Sequence, residues 1–122
     1  MAEYFDSKMV DDLRTLRAWR DKNPENFATE WLRQLGNNST EAAAVEAARR
    51  RVKGYFVKAA RLYSNSLISK DALRAVAFVN GLNIFYDVVV PLGLELNADA
   101  SRRTDELLSR ELGRYDRKAP QL

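Results

Sequence analysis

Apolar residues recur at helical spacing along nearly the whole chain, and polar punctuation divides the pattern into six segments. The first, about Ser7 to Lys22, puts Met9, Leu13 and Leu16 on one stripe with Trp19 adjoining, and Arg14, Arg17 and Arg20 elsewhere. Asn23-Pro24 reads as an N-cap followed by proline at the first helical position. The second segment repeats an apolar residue every fourth place, Phe27, Trp31 and Leu35, and stops at Gly36. The polar connector Asn37-Asn38-Ser39-Thr40 supplies the next cap, and the third segment runs to about Asn65. Leu67 to Ser69 makes a short turn, and Ser69 caps a fourth helix through Val79. Asn80-Gly81 offers a break, and a fifth segment runs from Leu82 to about Leu94. Asp99 caps the sixth, which turns Thr104, Leu107, Leu108, Leu112 and Tyr115 inward. No strand-like alternation intervenes. The pattern predicts an all-α fold, a compact, mostly antiparallel bundle of five or six helices. Residues 1–116 form one domain in this scheme, and 117–122 a frayed C-terminal tail.

The third segment is the clearest. Val45, Ala48, Val52, Tyr55, Ala59 and Leu62, together with Phe56 and Tyr63, cover about 120° of a helical wheel. That stripe is the expected core, and Leu62→Ala is expected to cost what truncating a buried leucine costs. Arg49, Arg50, Arg51, Lys53, Lys58 and Arg61 are assigned to the remaining arc. The basicity is local: residues 1–46 carry net −3, 47–92 net +6 and 93–122 net zero, within an overall +3. Arg49, Arg50, Lys53, Lys58 and Arg61 are therefore a candidate binding face for nucleic-acid phosphate, anionic lipid or an acidic protein. A solvated outer face, partly neutralised by acids of the first helices, accounts for the same charges more plainly. Tyr55, Phe56 and Tyr63, which would stack on bases, fall on the buried side, and no nucleic-acid reader motif accompanies the charge.

The fifth segment is apolar nearly all round, with Asn83 and Asp87 as its only polar strip. Pro91 lacks the N–H that would meet the Asp87 carbonyl, so a kink is expected there. Asp87 is read in two ways, as a buried ion-pair partner of Arg61 or Arg74, or as part of a cation or ligand site. The stretch AVAFVNGLNIFYDVVVPLGL has the length of a membrane span. Asn80, Gly81, Asn83, Asp87 and Pro91 oppose one, a central Asp alone costing roughly 3 kcal/mol on insertion scales. Burial within the protein, with no transmembrane span, is the expectation.

The chain of 122 residues contains no His and no Cys. That removes the commonest general base, the commonest nucleophile–base pairs and nearly all zinc and iron–sulfur ligation. No phosphate-binding loop, dinucleotide fingerprint or nucleophile elbow is present either. The expectation is a non-enzyme without a cofactor. The acidic N-terminus MAEYFDSKMVDDLR fits neither a signal peptide nor a transit peptide, so a cytoplasmic location is expected, peripheral membrane association remaining open.

The block RRRVKGYFVKAARLYSNSLISKDALRAVAFVNGLNIFYDVVVPLGLELN, about residues 49–97, resembles an uncharacterised bacterial all-helical domain family of unknown function. Its pattern is a long basic-aromatic helix, a short turn, a second helix and an apolar helix ending near a proline. The resemblance implies a helical fold and carries no activity. Members of that family often follow a membrane anchor, and none is apparent in this sequence. Taken together, the residues point to a non-catalytic interaction module that binds a protein partner or its own copy through helix faces. The exposed apolar remainder of segments four and five would form the centre of the contact. Binding of an acidic polymer or surface through the basic face is the alternative, and a small-ligand or enzyme site near Asp87 the third.

Overall fold

The computed structural model describes residues 7–77, 79–96 and 99–112. Every regular element among them is helical: α1 (Ser7–Lys22), α2 (Phe27–Gly36), α3 (Thr40–Ser64), α4 (Lys70–Val76), α5 (Val79–Ile84), a π-helical turn (Phe85–Val89), α6 (Val90–Glu95) and α7 (Asp99–Leu112). α5, the π turn and α6 follow one another without a break, so the described residues form an all-α bundle of six helical rods. The expected tail at 117–122, and Tyr115 before it, lie outside the described residues.

Local chemistry sets most of the boundaries. Ser39 Oγ accepts the Ala42 N–H at 3.2 Å and Ser69 Oγ accepts that of Ala72 at 3.0 Å, each satisfying an orphan donor at a helix start. Asn23 does not cap α2. Its backbone N–H and its Nδ2 both donate to the Trp19 carbonyl, at 3.1 and 3.2 Å, which commits it to closing α1. Pro24 therefore sits in the turn, and α2 starts later, at Phe27 after Asn26. α4 also departs from expectation, stopping at Val76 rather than Val79. The Tyr55 phenol donates to the Val76 carbonyl at 2.8 Å and occupies the acceptor that a longer helix would use. Asn80 and Gly81 consequently fall inside α5 instead of breaking the chain.

α1 lies antiparallel to α3, because Asp12 meets Arg51 at 2.8 Å while Lys22 meets Glu41 at 2.9 Å. Trp19, Trp31, Phe56 and Phe85 are the largest fully buried side chains. The rings of Phe56 and Phe85 sit 5.1 Å apart, joining α3 to the π turn. The buried arc of α3 is rotated by about 30° from the expected stripe, because α2, the π turn and α7 pack against it as well as α1. Ala42, Arg49 and Ala60 turn inward. Leu62 is pushed to the margin, only half-buried, and is a correction to the expected core. Leu62→Ala is thus expected to lose only about 1 kcal/mol in urea unfolding, against ~2–5 for a fully buried leucine such as Leu73.

At Pro91 the helix widens rather than breaking. The Val90 N–H donates to the Phe85 carbonyl, five residues back, which defines the π register just before the proline. A wider turn shifts donors by one position and accommodates the N–H that Pro91 lacks. Phe85, Tyr86, Val88, Val89, Val90 and Leu92 are buried in the bundle. Among the described residues no single helix is long and apolar enough to cross a membrane. The pair Lys70–Val76 and Gly81–Glu95, bent by 79°, has the length and composition of a broken span and no more than that.

Candidate functional site

The expected basic face divides into a buried part and an exposed part. Arg49 is 4% exposed, a correction to its assignment on the outer arc. On a wheel it lies about 40° from Val45, inside the arc that packing covers. Its Nε and Nη2 donate to the two Glu46 carboxylate oxygens at 2.7 and 3.1 Å, while Nη1 makes no hydrogen bond. The guanidinium carbon stands 5.9 Å from the Trp31 ring centroid, a cation–π contact that tolerates desolvation. Arg50 is exposed and shares Glu46, donating from Nε at 2.9 Å. Arg51 forms a fork with the buried Asp12, at 2.8 and 2.9 Å.

The remaining cations of α3 differ. Lys58 and Arg61 are exposed and Lys53 is half-buried, and none of the three makes an ion pair with a described residue. α7 packs beside this half of α3 and adds Arg102 and Arg103, both exposed and likewise without such a pair. Lys8 and Arg17 on α1 and Lys70 on α4 likewise make no ion pair with a described residue. Five uncompensated cations therefore sit on two adjacent helices.

Between α3 and α7 lies an open groove of about 480 Å³. Arg61 and Arg103 line it with Ser64 and Thr104, and Val57, Ala60 and Leu107 supply apolar wall. A second groove, of about 660 Å³, runs along the turn between α3 and α4 toward Arg110. On its margin the Tyr63 phenol donates to Glu111 Oε1 at 2.7 Å. That carboxylate holds the phenol proton and raises the Tyr63 pKa above its ordinary value.

Asn83 and Asp87 are both half-buried, Asp87 in the π turn. The pairing expected for Asp87 does not form with either arginine named for it. Arg74 meets Asp71 on its own helix at 3.3 Å, and Arg61 points into the α3–α7 groove. Among the described residues no three carboxylates gather as a metal site would require.

Three carboxyls titrate below their ordinary range. Burial pushes Glu46 up, but the Arg49 and Arg50 guanidiniums together outweigh it and bring it down. Hydrogen bonds from Tyr63 and then Arg110 lower Glu111. Hydrogen bonds from Arg33 and Gln34 bring Glu30 from 4.5 to about 2. A depressed folded-state pKa stabilises above the unfolded value and is lost as pH falls through the folded one. Melting temperature is therefore expected to fall as pH drops from 4.5 toward 2, and Glu46→Gln should remove part of that acid dependence in thermal melts.

α7 contributes what the sequence pattern did not suggest. Arg102 and Arg103 belong to a segment of zero net charge, and only the packing of α7 on α3 brings Arg103 to the same groove as Arg61. The chain matches no protein-family model, no curated protein and no solved structure.

Proposed function

We propose that this chain is a non-catalytic interaction module whose contact surface is the cationic face of α3 and α7, and that its partner is an acidic protein surface. The observation that carries this is that Lys53, Lys58, Arg61, Arg102 and Arg103 stand on two helices that pack together and make no ion pair with a described residue. Arginines elsewhere are largely neutralised, as at Arg33 with Glu30 and Arg51 with Asp12. Uncompensated like charge destabilises its own surface slightly and is relieved by an oppositely charged partner. The buried positions of Tyr55 and Phe56 favour a protein over single-stranded nucleic acid, which takes exposed aromatic stacking platforms.

An apolar-centred contact through segments four and five has less support. Leu73, Leu82, Ile84, Phe85 and Leu92 are all spent inside the bundle. Among the described residues, the exposed large apolar side chains at the end of this stretch are Leu94 and Leu96, at 42% and 39%. Acidic-partner binding is tested with poly-L-glutamate as the probe. The triple variant Lys53→Glu, Lys58→Glu, Arg102→Glu is expected to keep its melting temperature within a few degrees, since Lys58 and Arg102 are exposed and none of the three has an ion pair to lose. Its affinity for the probe should drop by tenfold or more. Equal affinity of variant and wild type would remove this face from the account.

A further inference from the structure

We propose that the groove between α3 and α7 is a binding site for a phosphate monoester carried on a short apolar body. The inference goes beyond a macromolecular contact, because it concerns the interior of the groove and not the charge around it. Its volume of about 480 Å³ lies within the range of small-molecule sites.

Arg61 and Arg103 enter from opposite helices and neither makes an ion pair with a described residue. Two guanidiniums facing one space repel each other until an anion stands between them. Each presents several N–H donors in a planar fork suited to phosphate oxygens. Ser64 and Thr104 bring two hydroxyls to the same lining, and neither is engaged in a hydrogen bond with another described residue. Two positive charges and further hydroxyl donors match the dianion and three terminal oxygens of a phosphate monoester better than a single carboxylate.

Val57, Ala60 and Leu107 form the apolar wall. Ala60 is 5% exposed, so its small side chain closes the floor. A ligand of this class would lay its phosphate toward the arginines and its apolar part along that wall. The nearest carboxylates on α7 in sequence are Asp105, which accepts from Ser109 Oγ at 3.3 Å, and Glu106; neither forms an ion pair with Arg103.

The test uses the whole chain at about 150 mM salt, where loosely held surface ions are screened. The probes are n-hexyl phosphate, inorganic phosphate and n-hexanol, followed by amide chemical shifts and by calorimetry. Saturable binding of hexyl phosphate is expected, with the largest shifts at residues 57–64 and 103–107. Inorganic phosphate and hexanol should each bind at least about tenfold more weakly, since each lacks one half of the match. Arg61→Gln and Arg103→Gln should each weaken hexyl phosphate by about tenfold or more. Lys53→Gln with Lys58→Gln should leave it within twofold to threefold, although the same pair contributes to acidic-protein binding. A wild-type chain that binds hexyl phosphate but not polyglutamate would thus sink the acidic-partner proposal alone. Three results would overturn the groove assignment: no saturation by hexyl phosphate up to about 10 mM, full binding in the Arg61→Gln, Arg103→Gln double variant, or equal weakening by the lysine pair.

Discussion

Replacing Trp31 by alanine is expected to destabilise the fold by about 3–5 kcal/mol, the range for losing a large buried aromatic. Trp31 is fully buried, and its Nε1 donates to the Ala42 carbonyl at 3.1 Å. The indole therefore ties α2 to the first turn of α3 with both area and a directed bond. Removing it also strips the π face from the buried Arg49 guanidinium. Against a total stability of roughly 5–15 kcal/mol for a domain of this kind, the variant should be unfolded or close to it at 37 °C. Trp31→Phe keeps most of the area and should lose about 1–2 kcal/mol for the missing hydrogen bond and partial void. Urea unfolding of both variants separates area from directed bonding.

Truncating Glu46 to alanine is the second large effect. The Arg49 side chain is 5% exposed and that of Glu46 17%, so the pair sits at the inner edge of the core. Removing the carboxylate leaves a guanidinium buried against Trp31 without its counter-charge. Breaking a buried pair from one side costs about 3–5 kcal/mol, and the rim exposure of Glu46 places the expected loss toward the lower end. Replacing both partners, Glu46→Leu with Arg49→Met, should restore stability to near wild type, because no charge then remains desolvated. A double variant as unstable as Glu46→Ala alone would show that the loss reflects helix packing and not the charge. The acid sensitivity at Glu46 has the same origin, since protonation performs the first half of this substitution.

Much of the architecture is legible in the residues because helical periodicity is a local property. Ser39 and Ser69 announce their helix starts, and Val45, Ala48, Val52 and Ala59 announce the inner face of α3. What the pattern leaves open is set by contacts between segments. Tyr55, twenty-one positions away in sequence, ends α4 at Val76. The indole of Trp31 provides the surroundings in which Arg49 can be buried, although a wheel position beside Val45 was a signal available in the sequence. The Pro91 perturbation is foreseeable from chemistry, but a kink and a π turn are alternative responses and the surrounding core selects between them. The candidate site is less legible than the fold. Lys53, Lys58 and Arg61 are visible as basic residues on one helix, whereas Arg102 and Arg103 join them only when α7 docks. Which cations are neutralised depends on pairs such as Arg51 with Asp12, thirty-nine positions apart.

The central claim is that these uncompensated cations are the contact surface for an acidic protein. Its most direct test is the affinity of the wild-type chain for poly-L-glutamate across a salt series from about 20 to 300 mM, over which the Debye length shrinks from roughly 20 to 6 Å. The expected result is tight, saturable binding at low salt that weakens by tenfold or more across the series, with a shallower salt dependence in the Lys53→Glu, Lys58→Glu, Arg102→Glu variant. Absence of binding at 20 mM salt, or an affinity indifferent to salt, would contradict it.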